Sequence, residues 1–209
     1  LDYHAAASTC MVHLSRLAEE MVLWSTDEFG FIRLSDGYTT GSSMMPQKRN
    51  PDFSELARAR SGRVLGHLVA LVTVLKGLPL TYNRDLQEDK EGLFDTVDTL
   101  LGTMNAMAEM VSGLAVESER MADAARSSYA LATDLADYLV KKGMPFREAH
   151  GVVAGLSAHA ADRSKLFHEL PLETYRQFSN LFDEDVLSIT VESSIAARDV
   201  PGGTSFDRV

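Results

Sequence analysis

The chain has 209 residues, of which 45% are apolar and 24% charged, and this balance argues against a disordered protein. The formal net charge is −10, and neither half of the chain is basic, so no nucleic-acid partner is expected. Cys10 is the only cysteine, which excludes an internal disulfide and fits a cytoplasmic protein. The uncharged, strongly apolar run of residues 64–75 is too short to cross a bilayer.

Three stretches carry apolar residues at helical spacing: Met11 to Trp24, Leu56 to Leu75 and Leu93 to Leu114. Nothing between them alternates as a strand would. Long helices with apolar stripes bury those stripes against one another, so the sequence predicts an all-α fold built on a long-helix bundle. Three helices make an incomplete bundle, and we expect the missing ones to come from an absent segment or from other subunits. The third stripe is the clearest, and it comprises Leu93, Val97, Leu100, Leu101, Met104, Ala108, Val111 and Leu114.

Shorter helices are predicted after Gly113. Residues 141–143, Lys-Lys-Gly, are typical of a helix end, with cations over the last carbonyls and glycine beyond them. Pro145 and Pro171 each suit the start of a further helix. We therefore predict that residues 1–115 form part of a central bundle and residues 116–209 a small helical C-terminal domain.

The stretch TGSSMMPQKRNPD, residues 40–52, has the composition of neither a core helix nor a strand. Asn50 and Pro51 predict a helix start, with Asn50 as N-cap and Pro51 in the first helical position. Free N–H groups at such a start favour anions. Ser42 and Ser43 add hydroxyls and Lys48 adds a cation, a set suited to holding a carboxylate and stabilising developing negative charge. A plain Ser/Gly connector remains the alternative.

Positive charge is concentrated over residues 46–63. The local excess suggests a small anionic ligand, although a solvated helix face explains it equally well. The cations are Lys48, Arg49, Arg58, Arg60 and Arg63, against Asp52 and Glu55.

Residues 41–50, GSSMMPQKRN, match the pattern G-S-S-x-M-P-x-K-x-N at every fixed position. This signature resembles that of the fumarase/aspartase superfamily. Residues 76–91, KGLPLTYNRDLQEDKE, and residues 132–150, ATDLADYLVKKGMPFREAH, resemble the argininosuccinate lyase branch and its relative delta-crystallin. Gln47 also fits that branch, and the resemblance covers essentially the whole chain.

The resemblance implies a carbon–nitrogen lyase that splits argininosuccinate reversibly into arginine and fumarate, without a metal or organic cofactor. It also implies a cytoplasmic homotetramer, with sites shared between subunits, acting in arginine biosynthesis or the urea cycle. Ser42 would be the catalytic serine, favoured as the base, with Lys48 lowering the cost of its alkoxide. Glu55 would orient a catalytic histidine.

The substrate-binding positions implied by the resemblance are Ser43, Asn50, Tyr82, Gln87 and Lys90. Lys48 and Asn50 would hold the carboxylates on the fumarate side. For Tyr82, Gln87 and Lys90 the alternative is a polar turn between helices, with Lys90 in an ion pair.

The family's catalytic histidine segment is expected upstream of Leu1, and the six histidines present match none of the catalytic positions. We therefore expect this chain to be a fragment that holds part of a site and is inactive alone. Three alternatives remain open: another superfamily lyase such as adenylosuccinate lyase, a non-enzymatic protein like delta-crystallin, and a helical oligomerisation module.

Overall fold

The computed structural model describes residues 1–209, which form two compact units, Leu1–Ser118 and Glu119–Val209. The first unit contains all three predicted long helices, so that prediction is confirmed. Their bounds are α1, Asp2–Trp24; α2, Asp52–Leu75; and α3, Asp89–Gly113. Four two-residue strands complete the unit: β1, Ile32–Arg33; β2, Thr40–Gly41; β3, Arg49–Asn50; and β4, Ala115–Val116.

The face along which the three helices pack is lined by small and medium side chains. Ala18 and Met21 of α1 meet Ala57 of α2 and Met107 and Met110 of α3 in one apolar cluster. Further along, a second cluster consists of Ala7, Met11 and Val64. Small side chains let helix axes approach closely, so these contacts fix α1 and α2 side by side along their length.

The apolar stripe predicted for α3 is not the face it buries within the chain. The buried positions are Thr96, Thr99, Thr103, Met107 and Met110. A buried threonine is tolerated because its hydroxyl can bond its own helix, as Thr103 Oγ1 does to the Thr99 carbonyl at 2.7 Å. An expectation based on hydrophobicity alone therefore selects the wrong face.

Large apolar side chains instead point away from the chain's own core. Leu101 is 54% exposed, Val111 47% and Val69 of α2 57%. On α3 the buried positions and the exposed apolar positions each repeat at roughly seven-residue intervals. This is the spacing of helix surfaces that pack along their length. The first unit thus has an inner face that is covered and an outer apolar face that nothing within this unit covers.

The second unit consists of shorter helices, as predicted. They are α4, Ser118–Arg126; α5, Ala132–Lys141; α6, Phe146–Asp162; α7, Leu172–Phe178; and α8, Val191–Ala196. The predicted end of α5 is confirmed, since Gly143 has φ of +98° and Pro145 immediately precedes α6. Pro171 likewise precedes α7. The all-α fold is therefore confirmed, and no helix combines the length and apolar character needed to cross a membrane.

The segment that joins the two units is tied to the first. β4 pairs antiparallel with β1, Ile32 opposite Val116, and the Glu117 N–H donates to the Phe31 carbonyl at 2.9 Å. The boundary between the two compact units therefore falls after Ser118, the first residue of α4. The predicted domain division between residues 115 and 116 stays a prediction.

Phe182 is the largest fully buried side chain of the second unit. Its ring stacks on Tyr138 at 5.9 Å and meets Tyr175 edge-on at 5.3 Å. Phe182→Ala is expected to lower the free energy of unfolding by about 3–5 kcal/mol, because a cavity replaces these contacts. Urea denaturation followed by circular dichroism measures this. Phe206→Ala, at a ring that is 79% exposed, is the control and should change it by less than about 0.5 kcal/mol. Equal effects would contradict the prediction.

Candidate active site

Residues 42–48 form the tip of a hairpin. β2 and β3 close its base, with Thr40 opposite Asn50 and Gly41 opposite Arg49. The Asn50 side-chain amide donates to the Thr40 carbonyl at 3.2 Å. The prediction that Asn50 caps the following helix is wrong: α2 begins at Asp52 with Pro51 in the cap position. The amide of Asn50 bridges the hairpin instead, and so fixes the two ends of the loop together.

Side chains around the hairpin attach it to the long helices. The Thr40 hydroxyl donates to the Asp52 carboxylate in the first turn of α2. The Tyr38 hydroxyl donates to Glu109 of α3, and its ring meets Phe53 edge-on at 5.1 Å. The hydrogen bond to Glu109 raises the pKa of Tyr38, so this phenol remains protonated. The hairpin base is therefore held against the start of α2 and the end of α3.

Ser42 has a defined environment within the loop. Its Oγ accepts hydrogen bonds from the backbone N–H groups of Met44, at 3.2 Å, and Met45, at 3.1 Å. The Lys48 N–H donates to the Met45 carbonyl at 3.0 Å, which closes a tight turn between them. Two amide donors aimed at one hydroxyl oxygen also stabilise the corresponding alkoxide, since hydrogen bonds to the charged form favour it. Ser43 is exposed beside it.

The cationic segment is largely neutralised by ion pairs. Arg49 lies 3.6 Å from Asp36, and Arg58 and Arg63 pair with acidic residues of α1 and α3. Lys48 is exposed and forms no ion pair. An anion at the loop would therefore meet Lys48 first, whereas Arg58 and Arg63 are better explained as links between helices.

Glu55 lies in the first turn of α2, exposed and near the hairpin. The three histidines of the first unit are elsewhere. His4 and His67 lie at the other end of the bundle, where both line one cavity, and His13 is exposed midway along α1. A role for Glu55 in orienting a histidine therefore stays a prediction.

The second group of predicted residues lies far from the loop. Tyr82 is 81% exposed, and Gln87 lies in a 3₁₀ turn, Arg84–Glu88, beyond the C-terminal end of α2. Lys90 Nζ contacts Asp89 at 2.8 Å, the ion pair that the polar-turn interpretation anticipates. The hairpin adjoins the opposite end of this 24-residue helix, about 36 Å away at 1.5 Å per residue. The chain does not bring the two groups together.

The sequence analysis did not predict a polar cluster between α2 and α3, towards the end of the bundle away from the hairpin. Arg63 and His67, one turn apart on α2, both donate to Asp95 of α3. These hydrogen bonds, that of Arg63 foremost, hold the pKa of the Asp95 carboxyl below its usual range. The i, i+4 spacing of Arg63 and His67 is visible in the sequence, but their common partner 28 residues beyond His67 is not.

Comparison with known proteins identifies the family. The family described as the argininosuccinate lyase C-terminal domain matches residues 129–196, and the lyase family matches residues 1–66. The argininosuccinate lyase of Dehalococcoides mccartyi is 54% identical over 205 residues, 98% of this chain. The chain belongs to the argininosuccinate lyase family. It spans 44% of the length of that argininosuccinate lyase.

Solved structures agree with the family assignment. An EDDS lyase variant with bound fumarate is 26% identical, with a TM-score of 0.83 over 97% of this chain and 42% of its own. Class II fumarase from Schistosoma mansoni has a TM-score of 0.71 at 21% identity, over 86% of this chain and 37% of its own, and shows the shared fold alone. The predicted membership of the argininosuccinate lyase family is confirmed by the family model and by the 54% identity to the Dehalococcoides mccartyi enzyme.

Proposed function

We propose that the complete enzyme containing this chain is an argininosuccinate lyase, which splits argininosuccinate reversibly into arginine and fumarate. The observation that carries the proposal is 54% identity to an argininosuccinate lyase along almost the whole chain. The loop geometry supports it, since Ser42 is held by two backbone amides with the unpaired cation of Lys48 in the same loop.

In this proposal Ser42 is the base that removes a proton from the carbon next to a carboxylate. That proton is weakly acidic, so the carbanion must be stabilised as an aci-carboxylate by cations and amides. Lys48 and Asn50 supply such groups, with Ser43 beside them. The guanidinium nitrogen then leaves with a proton from an acid. The steps are two proton transfers and the cleavage of one carbon–nitrogen bond, whose electron pair leaves with the nitrogen, and the proposal includes no metal or organic cofactor.

The distance between the loop of Ser42 and the segment of Tyr82, Gln87 and Lys90 determines how a site could be assembled. A site that used Ser42 together with Tyr82, Gln87 and Lys90 could not form within one chain, because about 36 Å of helix lies between them. The exposed apolar faces of α2 and α3 offer surfaces for other copies. We therefore propose a homotetramer with shared sites, acting in the cytoplasm in arginine biosynthesis or the urea cycle.

Substrate assays of a complete enzyme carrying this segment test the proposal. Fumarate release from argininosuccinate, followed by ultraviolet absorbance, is expected, and adenylosuccinate should not be cleaved. Cleavage of adenylosuccinate alone would favour the other superfamily lyase. A well-folded oligomer with no turnover of either compound would favour a structural protein like delta-crystallin.

A polypeptide of these 209 residues alone is expected to release no fumarate. Ser42 and Lys48 would be present, but none of the three histidines of the first unit lies at the loop. The same absorbance assay measures this, and turnover by this polypeptide would contradict the proposed need for a histidine from outside it.

A further inference from the structure

The cluster of Arg63, His67 and Asp95 joins α2 to α3 close to the segment of residues 82–90. Arg63 Nε lies 2.7 Å from Asp95 Oδ2, and His67 Nε2 lies 2.7 Å from the same oxygen. The Asp95 side chain is only 26% exposed. One carboxylate thus accepts hydrogen bonds from two side chains one turn apart, which fixes both the axial position and the rotation of α3 against α2.

The packing around His67 is tight. A Cβ added to Gly92 would lie 3.1 Å from His67 Nδ1, so the imidazole rests directly against the backbone of α3. Beside the cluster lies an open cleft of about 530 Å³ between α2 and α3, lined also by His4 of α1 and by Glu88, Asp89 and Glu91. Beside this cleft, the cluster and Gly92 make the contact between α2 and α3.

The fixed rotation of α3 against α2 also determines the direction in which Lys90 points. Glu91 is four residues before Asp95 and shares its face, towards the cleft. Lys90 is five residues before Asp95, and at 100° per residue it points about 140° away around the axis. The Lys90 side chain is accordingly 64% exposed. Rotation of α3 about its axis would move Lys90 by the same angle, so the inner cluster sets the direction of the outer lysine.

We propose that Arg63, His67 and Asp95 are positioning residues that orient Gln87 and Lys90 towards substrate in a site completed by a neighbouring copy. The inference rests on the proposed function. The three residues do not touch substrate themselves; they act through the first turn of α3 and the 3₁₀ turn before it.

His67 offers the sharper test. In a complete enzyme carrying this segment, His67→Leu is expected to raise KM for argininosuccinate at least fivefold with kcat within twofold, because ground-state and transition-state binding weaken together. His67→Gln should restore KM to within twofold, since its amide can donate to Asp95 from a similar position. An unchanged KM in His67→Leu, or no recovery in His67→Gln, would overturn the proposal.

Asp95→Asn provides a second variant, with Asp98→Asn as control. Asp98 lies exposed on the same helix without an ion pair, so the control makes the same charge change. Asp95→Asn should raise KM at least fivefold and Asp98→Asn should not; equal KM values would overturn the proposal. If the unmodified enzyme does not cleave argininosuccinate, the proposed function is wrong. If it does cleave argininosuccinate but the two variants have equal KM values, only the positioning proposal is wrong.

Discussion

Ser42→Ala, in a complete argininosuccinate lyase carrying this segment, is expected to lower kcat by about 10²- to 10⁴-fold, the usual contribution of a positioned proton-transfer group. The oxygen removed is the one that accepts hydrogen bonds from the N–H groups of Met44 and Met45. Without it, those donors and Lys48 have no alkoxide to stabilise. Fumarate release under saturating argininosuccinate measures the loss.

Ser42→Ala should leave the fold unchanged. Ser42 lies outside the apolar clusters of the first unit, so the melting temperature and oligomeric state of Ser42→Ala should match those of the unmodified enzyme. Ser188→Ala is the matched control, because that serine is exposed in the second unit and its hydroxyl donates to the Asp185 carbonyl of its own 3₁₀ turn. It should retain full activity. A Ser42→Ala enzyme with kcat within threefold of the unmodified one would reject the assigned role.

Val69→Asp combined with Leu101→Asp is expected to dissociate the proposed tetramer and with it to abolish activity. Both side chains lie on the outer apolar face, 57% and 54% exposed in the single chain. Burying an unpaired carboxylate in an apolar contact costs several kcal/mol, more than such an interface tolerates when each copy repeats the change. Sedimentation velocity measures the assembly, and circular dichroism checks that the helices persist.

Val200→Asp is the matched control for this substitution. Val200 is also 57% exposed but lies in a loop of the second unit. It should leave both assembly and activity unchanged. A double variant that remained tetrameric would show that the outer face of α2 and α3 is not the surface through which copies meet.

Much of the fold followed from the sequence because the long helices carry strong local signals. Apolar periodicity placed α1, α2 and α3, and glycine and proline marked the ends of the shorter helices. The signature at residues 41–50 identified the superfamily without any structural information, since seven specified positions in ten leave little room for chance.

What the sequence could not provide depends on long-range contacts. Three of the five buried positions of α3 are threonines. The Thr103 hydroxyl bonds its own helix and the Thr96 hydroxyl meets His4 of α1, so a hydrophobic pattern does not reveal this face. Asn50 has the ordinary chemistry of a helix cap, and only the pairing of β2 with β3 turns its amide towards the Thr40 carbonyl. The meeting of Asp95 with Arg63 and His67 likewise depends on how two helices are aligned.

The hairpin that carries Ser42 has a base only two residue pairs wide, and the hydrogen bonds to the serine oxygen all come from within its tip. If the hairpin moves about this narrow base, Ser42 and the two N–H groups that polarise its oxygen move together. The polarisation of the hydroxyl is then an intrinsic property of the loop and does not depend on the helices around it.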